Sequence, residues 1–257
     1  MPPLPHPPKF YQALHQAAHR KATGLYLALG HKLLAEALKS LPPQAFHAIL
    51  YDQEGPPPLV PPSLQGLLYP LPAWQIARIA QQETPQGVIA VLHQPALSMP
   101  DPLPPAILAE RLQDPGNLGT LLRTMEWLGY KYLWLTEDSV DPFHPKVVRA
   151  SMGSLFRLQV ARWKEWKELL RHYEGRTVVA DPQGKPATEV SWARYDSLYL
   201  GGEASGAQRA PQHWLRVSIP PSPTAQAESL NVSLAAALLL YTRREIMCGR
   251  LHTLSPL

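Results

Sequence analysis

Three polar residues alternate directly before an apolar run at 234–241: Ser229, Asn231 and Ser233. Each is a good helix N-cap residue, yet one alone is enough to cap a helix. The preceding Ile-Pro-Pro-Ser-Pro segment at 219–223 has few backbone donors and several fixed φ angles. A stiff loop that delivers a polar cluster to a helix start is typical of a ligand-binding platform. The alternative is a redundant cap on a buried helix.

A second polar segment is Asp-Pro-Gly-Asn at 114–117, which predicts a tight turn with Asn117 as the cap of the next helix. Arg123 lies nearly two turns into that helix and interrupts an otherwise apolar stretch. An arginine at the edge of a buried face usually meets a carboxylate or a phosphate. The segment therefore predicts either an anion-binding position or a structural salt bridge.

A third segment, Gly-Gly-Glu-Ala-Ser-Gly at 201–206, follows a predicted strand. Its glycines permit a close approach between backbone and ligand. The spacing is neither the dinucleotide fingerprint Gly-x-Gly-x-x-Gly nor a P-loop. Taken alone, this is more often a structural turn with a lone glutamate, Glu203. Cys248 is the single cysteine, which excludes a cysteine-rich zinc site, and no metal is expected.

The bulk composition is that of a globular protein, with 257 residues, 45% hydrophobic and 17% charged. That length weakly favours two domains. A net charge of +4 is too small to indicate a nucleic-acid partner by itself. We find no run near the roughly 18 apolar residues of a spanning helix, and the first residues lack a signal-peptide pattern. A cytoplasmic protein without membrane contact is expected.

The hydrophobic pattern predicts an α/β fold in both halves of the chain. Helices and apolar strands alternate in the first ninety-odd residues, with helices at 10–21, 31–41 and 72–80 and strands at 25–29, 48–51 and 88–92. Beyond the proline-rich segment at 99–105, strands are predicted at 106–112, 132–136, 156–160, 177–180, 198–201 and 216–219. The helices predicted between and after them lie at 117–128, 145–155, 163–173 and 233–247. Short apolar strands separated by helices indicate a mainly parallel sheet buried on both faces.

Together the three polar segments have the order and spacing of a known family. The chain resembles the SpoU/TrmH family of RNA ribose 2′-O-methyltransferases in the SPOUT superfamily. The matching motifs are residues 114–123, 200–206 and 219–233, and 145–156 is similar to a further family segment. Residues 24–38 and 85–91 look like the family's auxiliary RNA-binding domain, although Leu29 and His31 stand where glutamates are usual.

The resemblance implies a two-domain architecture. A small N-terminal α/β domain at 1–98 is expected to bind RNA, 99–105 to be a linker, and 106–257 to form a SPOUT methyltransferase domain with a parallel sheet and a trefoil knot. The family dimerises through the knotted domain, and a homodimer is therefore expected. The family cofactor is S-adenosylmethionine, and its expected contacts are Ala180, Gly201, Gly202, Ile219 and Leu230.

The resemblance also places a methyl-transfer centre. The residues carried over to it are Asn117, Arg123, Glu203, Ser229 and Asn231. A ribose 2′-hydroxyl attacks the sulfonium methyl in line, and a group must take its proton. Arg123 is the family's candidate, although a guanidinium stays protonated far above neutral pH. The alternative is that Arg123 holds a phosphate or the developing alkoxide.

The expected substrate is RNA. Members with an auxiliary domain of this size more often modify ribosomal RNA, so large-subunit ribosomal RNA is the prediction and transfer RNA the runner-up. A noncatalytic RNA-binding protein on the same fold is a further alternative. The intact set of polar site residues argues against it.

Overall fold

The computed structural model describes residues 3–96 and 100–250 and divides the chain into two compact units. The first comprises the chain up to Ala96 together with Asp141–Arg157, and the second comprises the remainder. Met99, where the predicted linker begins, lies outside the described residues. The domain limits expected from the family stay a prediction.

The described residues form ten strands and eight α-helices. The strands are β1 (Leu25–Leu29), β2 (Phe46–Asp52), β3 (Leu68–Leu71), β4 (Val88–His93), β5 (Ile107–Ala109), β6 (Tyr132–Thr136), β7 (Gln159–Trp163), β8 (Thr177–Pro186), β9 (Ser197–Leu200) and β10 (Arg216–Ser218). The helices are α1 (Pro8–Gln12), α2 (Ala17–Thr23), α3 (His31–Ser40), α4 (Ala73–Ala80), α5 (Pro115–Leu128), α6 (Pro145–Ser151), α7 (Trp166–Arg171) and α8 (Val232–Met247).

The first unit is built on a four-stranded sheet in the order β1-β4-β2-β3. Strands β1 and β2 are antiparallel to β4, and β3 is parallel to β2. The sequence pattern does not predict β3, because Pro70 lacks a donor for the ladder. Proline is tolerated there since β3 is an edge strand.

The helix predicted at 10–21 is divided between α1, a 3₁₀ turn and α2, with Gln16 in an extended conformation at the break. The break frees the carbonyl of Leu14, which accepts a hydrogen bond of 2.8 Å from the guanidinium of Arg20. Arg20 is fully buried and also pairs with Asp141. A buried arginine needs such partners, because an uncompensated charge in the interior is costly.

The second unit has a six-stranded sheet in the order β10-β8-β9-β5-β6-β7. All pairs of neighbouring strands within this sheet run parallel. Its central strands are fully buried, as in β5 and β9. The predicted α/β class and the mainly parallel sheet are confirmed, and the trefoil knot stays a prediction.

Two elements differ from the sequence prediction because residues adopt left-handed conformations. Helix α6 ends at Ser151, since Met152 and Gly153 have φ values of 52° and 96°. A 3₁₀ turn follows, so β7 starts later than predicted. Strand β5 is shorter than predicted, because Arg111 has a φ of 49° and turns the chain out of the sheet.

No helix within residues 3–96 and 100–250 is long and apolar enough to cross a bilayer.

Candidate functional site

Helix α5 begins at Pro115, two residues earlier than the sequence predicts. Its N-cap is Asp114, whose Oδ1 accepts a 2.7 Å hydrogen bond from the backbone N–H of Asn117, with Pro115 at the first helical position. The predicted cap at Asn117 is therefore wrong. An Asp directly before a Pro is a recognisable helix start and would have revealed this cap. As a result the side chain of Asn117 is free for other contacts.

Of the three candidate caps of helix α8, Asn231 is the N-cap. The Oδ1 of Asn231 accepts hydrogen bonds from the backbone N–H groups of Ser233 and Leu234, at 3.0 and 3.3 Å, and from the Ser233 hydroxyl at 2.6 Å. Ser233 is buried and serves the cap. Ser229 is exposed, and it makes no side-chain hydrogen bond to any residue the structure describes.

The side chain of Asn117 connects its own motif, residues 114–123, with the motifs at 200–206 and 219–233. Its Nδ2 donates to Oε1 of Glu203 at 2.5 Å, and its Oδ1 accepts from Nδ2 of Asn231 at 2.8 Å. Three of the five predicted transfer-site residues thus meet in one hydrogen-bonded chain. These hydrogen-bonded residues lie near the start of α5 and α8, where the helix dipoles place partial positive charge.

The loop that carries Glu203 is a closed turn. Gly202 and Gly206 exchange two backbone hydrogen bonds, of 2.9 and 2.8 Å. At Gly201 a Cβ atom would lie 2.3 Å from the backbone nitrogen of Ala207. The structure thus explains this glycine by the close approach of the loop to itself, whereas the sequence pattern predicts a close approach to a ligand.

Arg123 lies on the solvent face of α5 and not at the buried edge that its apolar neighbours predict. It follows Asn117 and Thr120 along an i, i+3 ridge and sits about 9 Å from Asn117 along the helix axis. The side chain of Arg123 has no hydrogen bond or ion pair to any other residue in the described ranges. Its guanidinium is therefore available to an external anion.

The residues expected to bind the cofactor lie at neighbouring strand ends. Ala180 lies in β8, where the pairing with β9 ends, and Gly201 and Gly202 directly follow β9. Ile219 follows β10, the other neighbour of β8. In parallel α/β sheets, ligands bind at the carboxyl ends of the strands.

The loop before α8 fits a ligand that is bound through backbone groups. The side chain of Leu230 is 44% exposed, although it is apolar. Its backbone N–H makes no hydrogen bond to the described part of the chain. An exposed apolar side chain beside a free donor suits an adenosyl cofactor, which presents both apolar and polar groups. No group of His, Cys, Asp or Glu within 3–96 and 100–250 is arranged to hold a metal ion.

Several known proteins are similar to this chain over most of its length. The SpoU rRNA Methylase family profile matches residues 104–241. An uncharacterized tRNA/rRNA methyltransferase of Synechocystis sp. is 36% identical over 251 residues, which cover 92% of this chain and 89% of that protein. The 23S rRNA guanosine 2′-O-methyltransferase RlmP of Bacillus subtilis is 32% identical, covering 92% of this chain and 95% of its own.

Solved structures give the same result. The SpoU methyltransferase AviRb of Streptomyces viridochromogenes, in complex with S-adenosylmethionine, superposes with a TM-score of 0.77 at 25% identity, covering 94% of this chain and 98% of that one. An S-adenosylmethionine-bound rRNA methyltransferase of Sinorhizobium meliloti gives a TM-score of 0.78, also at 25% identity, over 95% of this chain and 97% of that one. The chain therefore belongs to the SpoU rRNA methylase family.

Proposed function

We propose that this protein transfers a methyl group from S-adenosylmethionine to a ribose 2′-hydroxyl of large-subunit ribosomal RNA. The observation that carries the proposal is the hydrogen-bonded chain Glu203–Asn117–Asn231, formed at the start of α5 and α8. The unpaired side chain of Arg123 lies further along the same face of α5. Two helix N-termini and a free guanidinium create a positive environment. That environment suits an RNA phosphate and the negative charge that develops on the attacking oxygen.

S-adenosylmethionine, when bound, supplies an electrophilic methyl group. The residues of this chain hold the nucleophile. Arg123 binds a backbone phosphate or the developing alkoxide, because a guanidinium is a poor base at neutral pH. The proton of the 2′-hydroxyl passes to solvent water, which reaches this exposed site. Asn117 and Asn231 fix the position of Glu203 and orient the ribose, with Ser229 beside them. Fixing both reactants in line supplies much of the rate enhancement.

The residues that would hold the cofactor lie at the ends of β8, β9 and β10. It would be contacted by backbone groups of Gly201, Gly202, Ile219 and Leu230, with Ala180 next to them where β8 stops pairing with β9. The proposal is supported by the exposed Leu230 side chain and its free N–H.

Ribosomal RNA is favoured as the substrate because the match to RlmP extends over nearly the full length of both proteins. The first unit, like the family's auxiliary domain, binds the RNA, and the protein acts in the cytoplasm. Transfer RNA is the second candidate, because the Synechocystis relative is described as a tRNA/rRNA methyltransferase.

The protein acts as a homodimer through α8. Leu234, Leu238 and Tyr241 follow an i, i+4, i+7 pattern on this helix and are all exposed. Helix α5 packs against α8 and carries Trp127, which is 84% exposed. Such a concentration of exposed large apolar side chains is typical of a surface that a partner covers. A second copy of the chain is the partner we propose.

The substrate is tested with labelled S-adenosylmethionine and with ribosomal and transfer RNA from cells that lack this protein. We expect label in the large-subunit ribosomal RNA. Label in transfer RNA alone would overturn the ribosomal assignment. A folded protein that binds RNA but transfers no methyl group would favour the noncatalytic alternative.

A further inference from the structure

A buried carboxylate lies behind the loop that carries Glu203. Glu110 directly follows β5, and its side chain is fully buried. A buried charge is costly unless it is paired and hydrogen-bonded. Its Oε2 accepts hydrogen bonds from the Tyr199 hydroxyl at 2.7 Å and from the backbone N–H of Arg209 at 2.9 Å. Its Oε1 lies 3.6 Å from Nε of Arg209.

The two partners of Glu110 bracket the loop. Tyr199 lies in β9, just before the loop, and Arg209 lies just after it. One carboxylate oxygen therefore fixes both ends of the segment that contains Glu203. Displacing either end of this segment breaks a charge-assisted hydrogen bond, which is about twice as strong as a neutral one. The same bond, together with burial as the larger cause, raises the pKa of the Tyr199 hydroxyl well above its usual range.

The side chain of Arg209 extends the restraint to the turn that follows β6. Its guanidinium donates to both carboxylate oxygens of Asp138, at 3.2 and 2.8 Å. Asp138 also lies 3.7 Å from Nε of Arg111, the residue with a left-handed backbone. A Cβ atom on Gly202 would lie 3.1 Å from Cβ of Arg111, so this side chain packs against the loop.

Glu203 needs this support because its own carboxylate is exposed. Its hydrogen bond from Asn117 fixes one oxygen, but an exposed side chain is easily displaced by water. We propose that Glu110 is a positioning residue, which acts through Arg209 and Tyr199 to hold the loop and thereby Glu203. This role rests on the proposed methyl transfer, since it concerns a residue of that site.

The first test measures loop order without substrate. In Glu110→Gln the amide keeps one oxygen acceptor but loses the charge and turns a donor toward Arg209. We expect the amide protons of Gly202 and Gly206 to exchange about tenfold faster, while those of β6 keep their rates. Equal exchange in the wild type and the variant would overturn the proposal, whether or not the protein methylates RNA.

The second test measures turnover. We expect Glu110→Gln to lower kcat about tenfold in the wild-type background and by less than about twofold in a Glu203→Gln background. Equal losses in both backgrounds would show that Glu110 does not act through Glu203. A wild-type protein with no transfer would refute the proposed function and leave the exchange test decisive for Glu110.

Two further variants keep the test interpretable. Glu174→Gln makes the same chemical change at an exposed carboxylate that contacts His213 and Trp214, and it should alter neither measurement. If Glu110→Gln does not fold, Tyr199→Phe removes one donor and leaves the carboxylate in place. We expect faster exchange at Gly202 and Gly206 in that variant, and unchanged exchange would overturn the proposal.

Discussion

Asn231 donates a hydrogen bond of 2.8 Å from Nδ2 to Oδ1 of Asn117, across 114 positions of sequence. The Oδ1 atom of the same Asn231 side chain caps α8. One side chain therefore both begins a helix and orients the residue that binds Glu203. This double role allows the structural and the functional contribution of Asn231 to be separated by substitution.

Asn231→Asp and Asn231→Ala should differ in stability but not in activity. The aspartate keeps the acceptor for the helix N–H groups and adds a charge that the helix start favours, whereas alanine loses the cap. We expect Asn231→Ala to destabilise the second unit by about 1 kcal/mol and to lower its unfolding temperature by about 2–4 °C. Both variants lose the donor to Asn117, so both should lose most of their methyl transfer. Full activity in Asn231→Asp would mean that the amide contributes only the cap.

Asn117→Asp tests the other half of this chain. The substitution preserves shape but replaces the donor to Glu203 with an oxygen, so two carboxylates face each other. We expect kcat to fall by about tenfold or more, with stability changed by less than about 0.5 kcal/mol because the site is exposed. Thr120→Ala, one turn further along α5, is the matched control and should retain activity. Steady-state kinetics and thermal unfolding measure the two effects.

The proposed dimer surface is tested by a change of charge. Leu238→Lys places an ammonium group in the exposed apolar stripe of α8, and its burial in an interface would be costly. We expect the wild type to sediment as a dimer and the variant as a monomer. Leu59→Lys replaces an exposed leucine in the first unit and should leave the dimer intact. A monomeric wild type, or a dimeric Leu238→Lys, would contradict the assignment.

Stability should fall as the solution becomes acidic, because three histidines of the first unit resist protonation. Burial is the main cause that lowers the pKa of His15, His47 and His144 below the ordinary value of about 6.5. The unfolded chain therefore binds more protons than the folded chain as the pH falls. The contribution of these histidines to the free energy of unfolding is fully present above about pH 6.5 and is lost as the pH falls through their folded-state pKa values.

The measurement is the midpoint temperature of thermal unfolding of the first unit, between pH 8 and pH 5. This pH range lies above the ordinary pKa values of carboxylates. We expect a steady decrease, smaller in His47→Gln, which removes one of the three groups. A midpoint independent of pH over this window would show that the three imidazoles do not resist protonation.

Local patterns predict the strands of the second unit well where burial is continuous. Strand β6 has the bounds predicted from its apolar run, Tyr132–Thr136. Prediction fails where the backbone leaves the regular conformations, as at Arg111 and Met152, because nothing in these side chains indicates a left-handed φ. The pattern does not predict the edge strand β3 for a related reason, since Pro70 is normally evidence against a strand.

Motif order predicts only part of the arrangement of the candidate site. The family resemblance selected Asn117, Glu203 and Asn231, which the structure brings together, but the hydrogen bonds that join them connect residues 86 and 114 positions apart. The support from Glu110 was not predicted. Its partners lie 89 and 99 positions away, and such contacts have no local signature in the sequence.

The most direct measurement compares methyl transfer by the wild type and Arg123→Ala on unmodified large-subunit ribosomal RNA, followed by digestion to nucleosides. We predict that the wild type places the label on a 2′-O-methylnucleoside. Arg123→Ala should bind the cofactor normally, keep its stability within about 0.5 kcal/mol, and lose about a hundredfold or more in kcat. Lys167→Ala, which removes another exposed cation of the second unit, should retain activity. Label on a base, or normal turnover by Arg123→Ala, would contradict the account.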